Sequence, residues 1–309
     1  MVAHPDVPIL VIGFNRPELM RRQIERLRSW APSSLYLACD GPRAGVVDDV
    51  PATEAVRQCA ELVDWDCSLR TLFADTNLGC GAAVTAAITW FFKNESAGII
   101  LEDDVIASPD FLRFAAEMLE RYADDERVYS VTGLSLDSPA QRAHQSDSYR
   151  FTALPLIWGW ATWRRAWNPE ITSVAGWHDW CDLDAVARAH QWPHMLTQVL
   201  RRRIDDAESG RVDTWDAGYA VHGLAVDAMH IMPARSLTSN VGVSDGASHN
   251  GYQPKRVREP ELMSWPLVHP ATVAIDSSVD RLMLVEAFEA SPRGYGRKAL
   301  RRARRLIPT

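Results

Sequence analysis

Through its first 135 residues the chain alternates short apolar runs with amphipathic stretches. That pattern belongs to a parallel sheet whose strands are joined by crossover helices. It predicts strands at Pro8 to Gly13, Leu35 to Cys39, Leu69 to Phe73, Gly98 to Leu101 and Val128 to Thr132. Between them, Pro17 to Arg28 carries Leu19, Met20, Ile24 and Leu27 at helical spacing, and its proline stands where a missing N–H costs nothing. Ser108, Pro109 and Asp110 open a second helix with a hydroxyl cap, a proline and an acid that suits the helix dipole. A third is expected over Ala82 to Phe92. With 309 residues, 47% of them hydrophobic, the chain can bury a sizeable core as one large domain or two fused lobes.

After residue 135 the pattern gives way to long polar loops and a tryptophan cluster. Trp158, Trp160, Trp163, Trp167, Trp177, Trp180 and Trp192 are seven of the chain's twelve tryptophans. They read equally as the large rings of a helical core and as the lining of a sugar-binding cleft, since aromatic faces pack on C–H surfaces while the indole N–H seeks a polar partner. The division expected is therefore 1–135, 136–285 and a basic tail over 286–309.

Net charge is −7, and because residues 291–309 hold seven bases and no acid, the remaining body carries −14. An acidic body argues against nucleic acid as a partner, and any phosphate ligand would need a metal ion or a placed arginine. Five scattered cysteines without C-x-x-C spacing suggest neither a disulfide framework nor a zinc site. No apolar run approaches a membrane span and the N-terminus lacks signal-peptide character, so a cytoplasmic location is expected.

The most informative segment is Gly98-Ile99-Ile100-Leu101-Glu102-Asp103-Asp104-Val105. A buried strand ending in three acids puts carboxylates at the C-terminal edge of a parallel sheet, where open α/β sheets bind ligands. Three adjacent acids repel unless a cation sits among them. Hard ions such as Mn²⁺ or Mg²⁺ take carboxylate oxygens and complete their shell with water and phosphate. The competing reading is a solvated acidic turn or helix cap.

Six segments, taken in order, give the chain a resemblance to a known family. PILVIGFNRP, ACDGPR, LEDDV, WGWATWRRAW, TWDAGY and PARSLTSNVGVSDGASH resemble successive segments of the nucleotide-sugar transferases of GT-A architecture, particularly those similar to N-acetylglucosaminyltransferase I and its bacterial relatives. The resemblance implies a GT-A, Rossmann-like α/β fold, a mostly parallel sheet flanked by helices with a Trp-rich acceptor side. Residues 1–135 would be the nucleotide-sugar half and 136–285 the acceptor and catalytic-base half. It implies inverting transfer of a hexosyl or N-acetylhexosaminyl group from a nucleoside diphosphate to an acceptor hydroxyl in bacterial glycan or glycoconjugate synthesis.

Carried over by residue, Arg16 would contact the diphosphate, Asp40 the nucleobase, and Asp104 the metal, with Asp103 and Glu102 on the donor sugar and ribose. A guanidinium suits phosphate through paired donors, and a carboxylate can accept an imide N–H, which favours a UDP-sugar. Arg16 also reads as a solvated helix-start residue and Asp40 as a turn residue before Gly41-Pro42. Asn77 and Gly79, in Asn77-Leu78-Gly79-Cys80-Gly81, would bring the donor to a helix N-terminus, or form a simple turn and cap. Val84 stands where a dinucleotide fingerprint needs glycine. Trp160 is placed by the resemblance among the donor-binding residues.

The general base matches Asp216 in the family's Trp-Asp position, with Asp213 as the other candidate, and either could instead cap the following helix. Ala217 and Gly218 depart from the acid and tryptophan that follow in the animal enzymes. His249 falls in the segment similar to the family's closing loop and is read as a phosphate or metal contact or a plain surface residue. His178, His190, His194, His222 and His230 show no metal-ligand spacing. Two further readings stand beside the transferase: a non-catalytic carbohydrate-binding protein, and a sugar-phosphate nucleotidyltransferase, although the Gly-rich loop and lysine of the latter are missing from Val11 to Arg16. In the tail, Arg293, Arg297, Lys298, Arg301, Arg302, Arg304 and Arg305 flank a stripe of Leu300, Ala303, Leu306 and Ile307. It reads either as a solvated or docked terminus or as a peripheral contact with the inner face of the membrane, suited to a glycan or lipid-linked acceptor.

Overall fold

A computed structural model describes residues 6–136, 145–242 and 259–286. In chain order the strands are β1 Ile9–Gly13, β2 Ser34–Cys39, β3 Ser68–Phe73, β4 Ala97–Glu102, β5 Val105–Ala107, β6 Val128–Thr132, β7 Tyr149–Thr152, β8 Trp160–Trp163, β9 Met229–Pro233 and β10 Thr238–Asn240. The helices are α1 Pro17–Arg28, α2 Asp49–Gln58, α3 Cys80–Asn94, α4 Pro109–Arg121, α5 Trp177–Trp180, α6 Leu183–Ala189, α7 His194–Glu208, α8 Asp216–Ala225 and α9 Ser277–Glu286.

Eight strands form one sheet in the order β3-β2-β1-β4-β8-β6-β9-β7, and β10 pairs with β5 beside it. Parallel pairing joins β3, β2, β1 and β4, and also β6 and β9, while β8 runs antiparallel to both β4 and β6 and β7 antiparallel to β9. This is a mostly parallel α/β sheet flanked by helices, as the apolar runs imply, and of the Rossmann-like kind that the resemblance implies. Every residue of β1 is buried, as expected for a strand covered on both faces. On α1, Met20, Ile24 and Leu27 point into the core with Gln23, whose amide donates to the Val105 carbonyl at 2.8 Å. The cap of α4 is made as its residues suggest, Ser108 Oγ accepting the Phe111 N–H at 3.1 Å.

Two elements escape the simple pattern. The second helix contains Pro51, tolerated because it falls in the first turn, where no intrahelical donor is lost. The second is β8, from the tryptophan-rich segment, which lies in the middle of the sheet between β4 and β6. Its rings at Trp160 and Trp163 are therefore buried, and Trp167, Trp177 and Trp192 beyond it are buried as well. Four find indole partners: Trp163 on the Leu119 carbonyl, Trp167 on Thr89, Trp177 on Asp205 and Trp192 on Asp280. Asp280 itself is fully buried and also accepts from Thr152 Oγ1 at 2.6 Å and the Ala153 N–H at 2.9 Å, which pins α9 to the end of β7. Core packing, rather than a sugar cleft, accounts for these five; Trp180 is exposed.

The five cysteines are free thiols. Among the described residues, no helix is long and apolar enough to cross a membrane.

Candidate functional site

Because β1, β2, β3 and β4 are parallel, Gly13, Cys39, Phe73 and Glu102 all end at one edge of the sheet, and the loops that follow converge there. Each apolar strand gives way to polar residues at that edge. After β1 comes Phe14-Asn15-Arg16, after β2 Asp40, and after β4 Asp103 and Asp104, with Asn77 and Gly79 entering α3. The sequence-predicted residues Arg16, Asp40, Asn77, Gly79, Glu102, Asp103 and Asp104 are thus brought to one sheet edge. His249 and the basic tail from residue 287 lie outside the described residues.

Arg16 spans two acids, with Nη2 2.6 Å from Asp103 Oδ1 and Nη1 2.9 Å from Asp104 Oδ2. Asp103 and Asp104 are buried, and Asp103 Oδ2 has no hydrogen-bond partner. On the other side of Asp104, Oδ1 accepts from Asn240 Nδ2 at 3.3 Å. Loss of water and mutual repulsion dominate the electrostatics. Burial, then Asp104 and Asp103, push the Glu102 carboxyl up to about 8 against the pull of Arg16. Burial likewise raises Asp103 to about 7. One guanidinium does not neutralise three acids, and a buried carboxylate oxygen without a donor is a position that a hard divalent cation fits. Asp104, Asp103 and Glu102 are the residues that could hold it.

Asp40 serves the scaffold. Its Oδ1 accepts the N–H groups of Gly41 at 2.8 Å and Leu78 at 2.9 Å, and its Oδ2 accepts from Asn77 Nδ2 at 2.8 Å and the Gly79 N–H at 3.2 Å. With four donors, a carboxylate has no lone-pair direction left for a base imide. In this geometry Asp40 and Asn77 shape the loop into α3, which combines the turn role with a place beside the site. Gly79 then adopts φ +84°, a conformation costly for any side chain. A Cβ there would lie 2.7 Å from Asp213 Oδ2.

Asp213 docks on this turn, its Oδ1 accepting the Gly81 N–H at 3.1 Å, so it caps α3 from a distant part of the chain. Asp216 opens α8, and its Oδ1 accepts the Thr214 hydroxyl. Its charge is felt at both Glu102 and Cys80. Cys80 sits at a helix N-terminus, which ordinarily favours a thiolate. Burial and the carboxylates of Glu102, Asp213, Asp216 and Asp40 outweigh that and push the thiol up to about 12.

Trp160 requires a correction. Expected among donor-binding residues, it is 1% exposed and stacked on Trp215, with centroids 5.5 Å apart, against Trp167 and Tyr219. The ring is the floor beneath the Thr214–Asp216 turn. The departure at Gly218 also has a packing cause: a Cβ there would come within 2.1 Å of the Thr172 carbonyl oxygen.

Sequence reasoning missed Asp49, Asn240 and Thr214. Asp49 accepts from Asn15 Nδ2 at 2.9 Å and from Arg43 Nε at 2.6 Å and Nη2 at 2.9 Å, tying together the loops after β1 and β2. The Arg43 guanidinium holds its carboxyl well below the usual range. Nothing in the local sequence marks it, whereas Asn240 and Thr214 lie inside segments already singled out. Away from this edge, His178, Asp205 and Glu208 also come together at the surface despite their wide spacing.

No protein-family model matches the chain, and no curated protein sequence matches it. Among solved structures, HddC from Yersinia pseudotuberculosis is similar at 9% identity over 52% of this chain and 77% of that one, with a TM-score of 0.31. UDP-glucose pyrophosphorylase complexed with UDP-glucose is similar at 8% identity over 74% of this chain and 90% of that one, with a TM-score of 0.34. Likeness at this level does not bear on chemistry, which rests on the site itself.

Proposed function

We propose that this chain is a divalent-metal-dependent glycosyltransferase that moves a sugar, with inversion, from a nucleoside diphosphate onto an acceptor hydroxyl in glycan or glycoconjugate synthesis. The observation that carries the reading is the under-neutralised Glu102-Asp103-Asp104 triplet at the sheet edge, clasped by Arg16 and within electrostatic range of Asp216. A UDP-sugar is the favoured donor and a glycan or lipid-linked glycan the acceptor.

Asp104, with Asp103 and Glu102, would hold Mn²⁺ or Mg²⁺, which supplies positive charge against the departing diphosphate. Arg16 offers two N–H donors to phosphate oxygens. Asp216 takes the proton of the acceptor hydroxyl as that oxygen bonds to the anomeric carbon and the bond to the diphosphate oxygen breaks. The Thr214 hydroxyl engages Asp216 Oδ1 and orients the carboxylate, leaving Oδ2 to receive the proton. Asp213, committed to capping α3, is the weaker candidate for the base.

Calorimetry with UDP tests the reading. Affinity should fall in excess chelator, since the ion would offset the diphosphate charge, and Asp104→Asn should lose the metal dependence while keeping its melting temperature. Unchanged affinity in either case sinks the proposal. A donor panel then separates chemistries: release of UDP from a UDP-sugar supports transfer, and formation of a UDP-sugar from UTP and a sugar 1-phosphate supports nucleotidyl transfer instead.

A further inference from the structure

Arg16 already occupies cationic positions on Asp103 and Asp104. Its two terminal nitrogens go to two different carboxylates rather than to one. The backbone of Gly242 closes the outer side of this contact, since a Cβ on that residue would lie 2.1 Å from Asp104 Oδ2 and 2.8 Å from Arg16 Nη1. A cation binding Asp104 Oδ2 at the 2.0–2.2 Å or so typical of a small divalent ion would therefore meet the guanidinium at the same crowded oxygen. The backbone under Arg16 is fixed: its carbonyl accepts the Met20 N–H at 3.1 Å and Pro17 starts α1. The side chain is 39% exposed, whereas those of Asp103 and Asp104 are 2% and 12% exposed. The mobile partner of the pair is the arginine.

We propose that Arg16 is a resident counter-ion that exchanges partners. In the metal-free protein it neutralises and positions Asp103 and Asp104. When a divalent cation takes Asp104, the guanidinium is released from that carboxylate, and with Asp103 as pivot it turns its freed N–H groups to the donor diphosphate. Arg16 thus opposes binding of the metal alone and favours binding of metal with nucleotide, coupling the two ligands. The second half rests on the transferase reading above; the first does not.

The test is Mn²⁺ binding to the full-length chain by calorimetry or electron paramagnetic resonance, without nucleotide and then with UDP. Arg16→Gln should bind Mn²⁺ alone about tenfold or more tightly than wild type, as a neighbouring charge shifts a bound cation's equilibrium by at least that factor. The same variant should bind UDP in saturating Mn²⁺ about tenfold or more weakly. Arg16→Lys, whose single ammonium reaches only one carboxylate, should gain about threefold for Mn²⁺ alone, and it carries the test if the Gln variant fails to fold. Tighter Mn²⁺ binding with no UDP binding in any protein upholds the counter-ion and sinks the transferase reading. Equal or weaker binding of Mn²⁺ alone by the folded variants overturns the exchange.

Discussion

The two sides of the candidate site are built on opposite principles. On the acidic side, Glu102, Asp103 and Asp104 crowd around a single Arg16 and leave a buried oxygen without a donor. On the aromatic side, Trp160, Trp167, Trp215 and Tyr219 pack ring against ring, and the Trp167 indole N–H is taken by Thr89. A buried oxygen left without a donor is a place for a ligand; a closed aromatic cluster is a foundation. Asp216 stands where the two meet, next to Trp215 in the chain and within electrostatic range of Glu102.

That contrast predicts effects of different kind as well as size. Asp216→Asn should lower transfer by about 10² to 10⁴-fold with donor affinity unchanged, the usual contribution of a positioned base. Asp213→Asn should instead act through the α3 turn, with a modest loss. Should Asp213→Asn be the inactive variant and Asp216→Asn the active one, the base belongs on the other side of the comparison.

Trp160→Ala should cost about 3–5 kcal/mol of stability, as expected for a large ring removed from a closed core. Denaturant unfolding measures this. A variant of wild-type stability that fails to bind UDP would make Trp160 a ligand contact after all and erase the distinction between the two sides.

The smallest effect is in pH. The Glu102 carboxyl, raised to about 8 in the folded chain, keeps a proton that the unfolded chain loses near its ordinary value of 4.5. Between those values the folded state binds more protons, so stability must fall as pH rises from 5 to 8 in metal-free protein. Glu102→Gln should flatten that slope, and Mn²⁺ should stabilise wild type more at pH 8 than at pH 5. A slope that survives the substitution would assign the strain elsewhere.

Much of the acidic side is legible in the sequence because its signals are local. Apolar runs mark β1, β2 and β4, Arg16, Asp40, Asp103 and Asp104 come within a few residues of a strand end, and LEDDV carries strand and acids together. The aromatic side is legible only in composition. Nothing in WGWATWRRAW says that the segment enters the sheet antiparallel between β4 and β6, since that depends on pairing with residues some 60 and 30 positions earlier. The same holds for Asp40, whose four donors come from Gly41 and from a loop almost 40 residues away. A carboxylate after a strand announces itself; what it binds is a tertiary matter.

The central position of β8 also orders events in time. β6, completed at Thr132, has β8 and β9 as its sheet neighbours, and both lie later in the chain. While the chain is being made, at about 5–20 residues per second, β4 and β6 wait with open edges for residues 160–163. β6 waits several seconds more on its other side for residues 229–233. Exposed edges of this kind recruit other chains. Nascent chains halted between β6 and β8 are therefore the species most in need of a chaperone, and overproduction should fail first by aggregation at that stage rather than by instability of the finished protein.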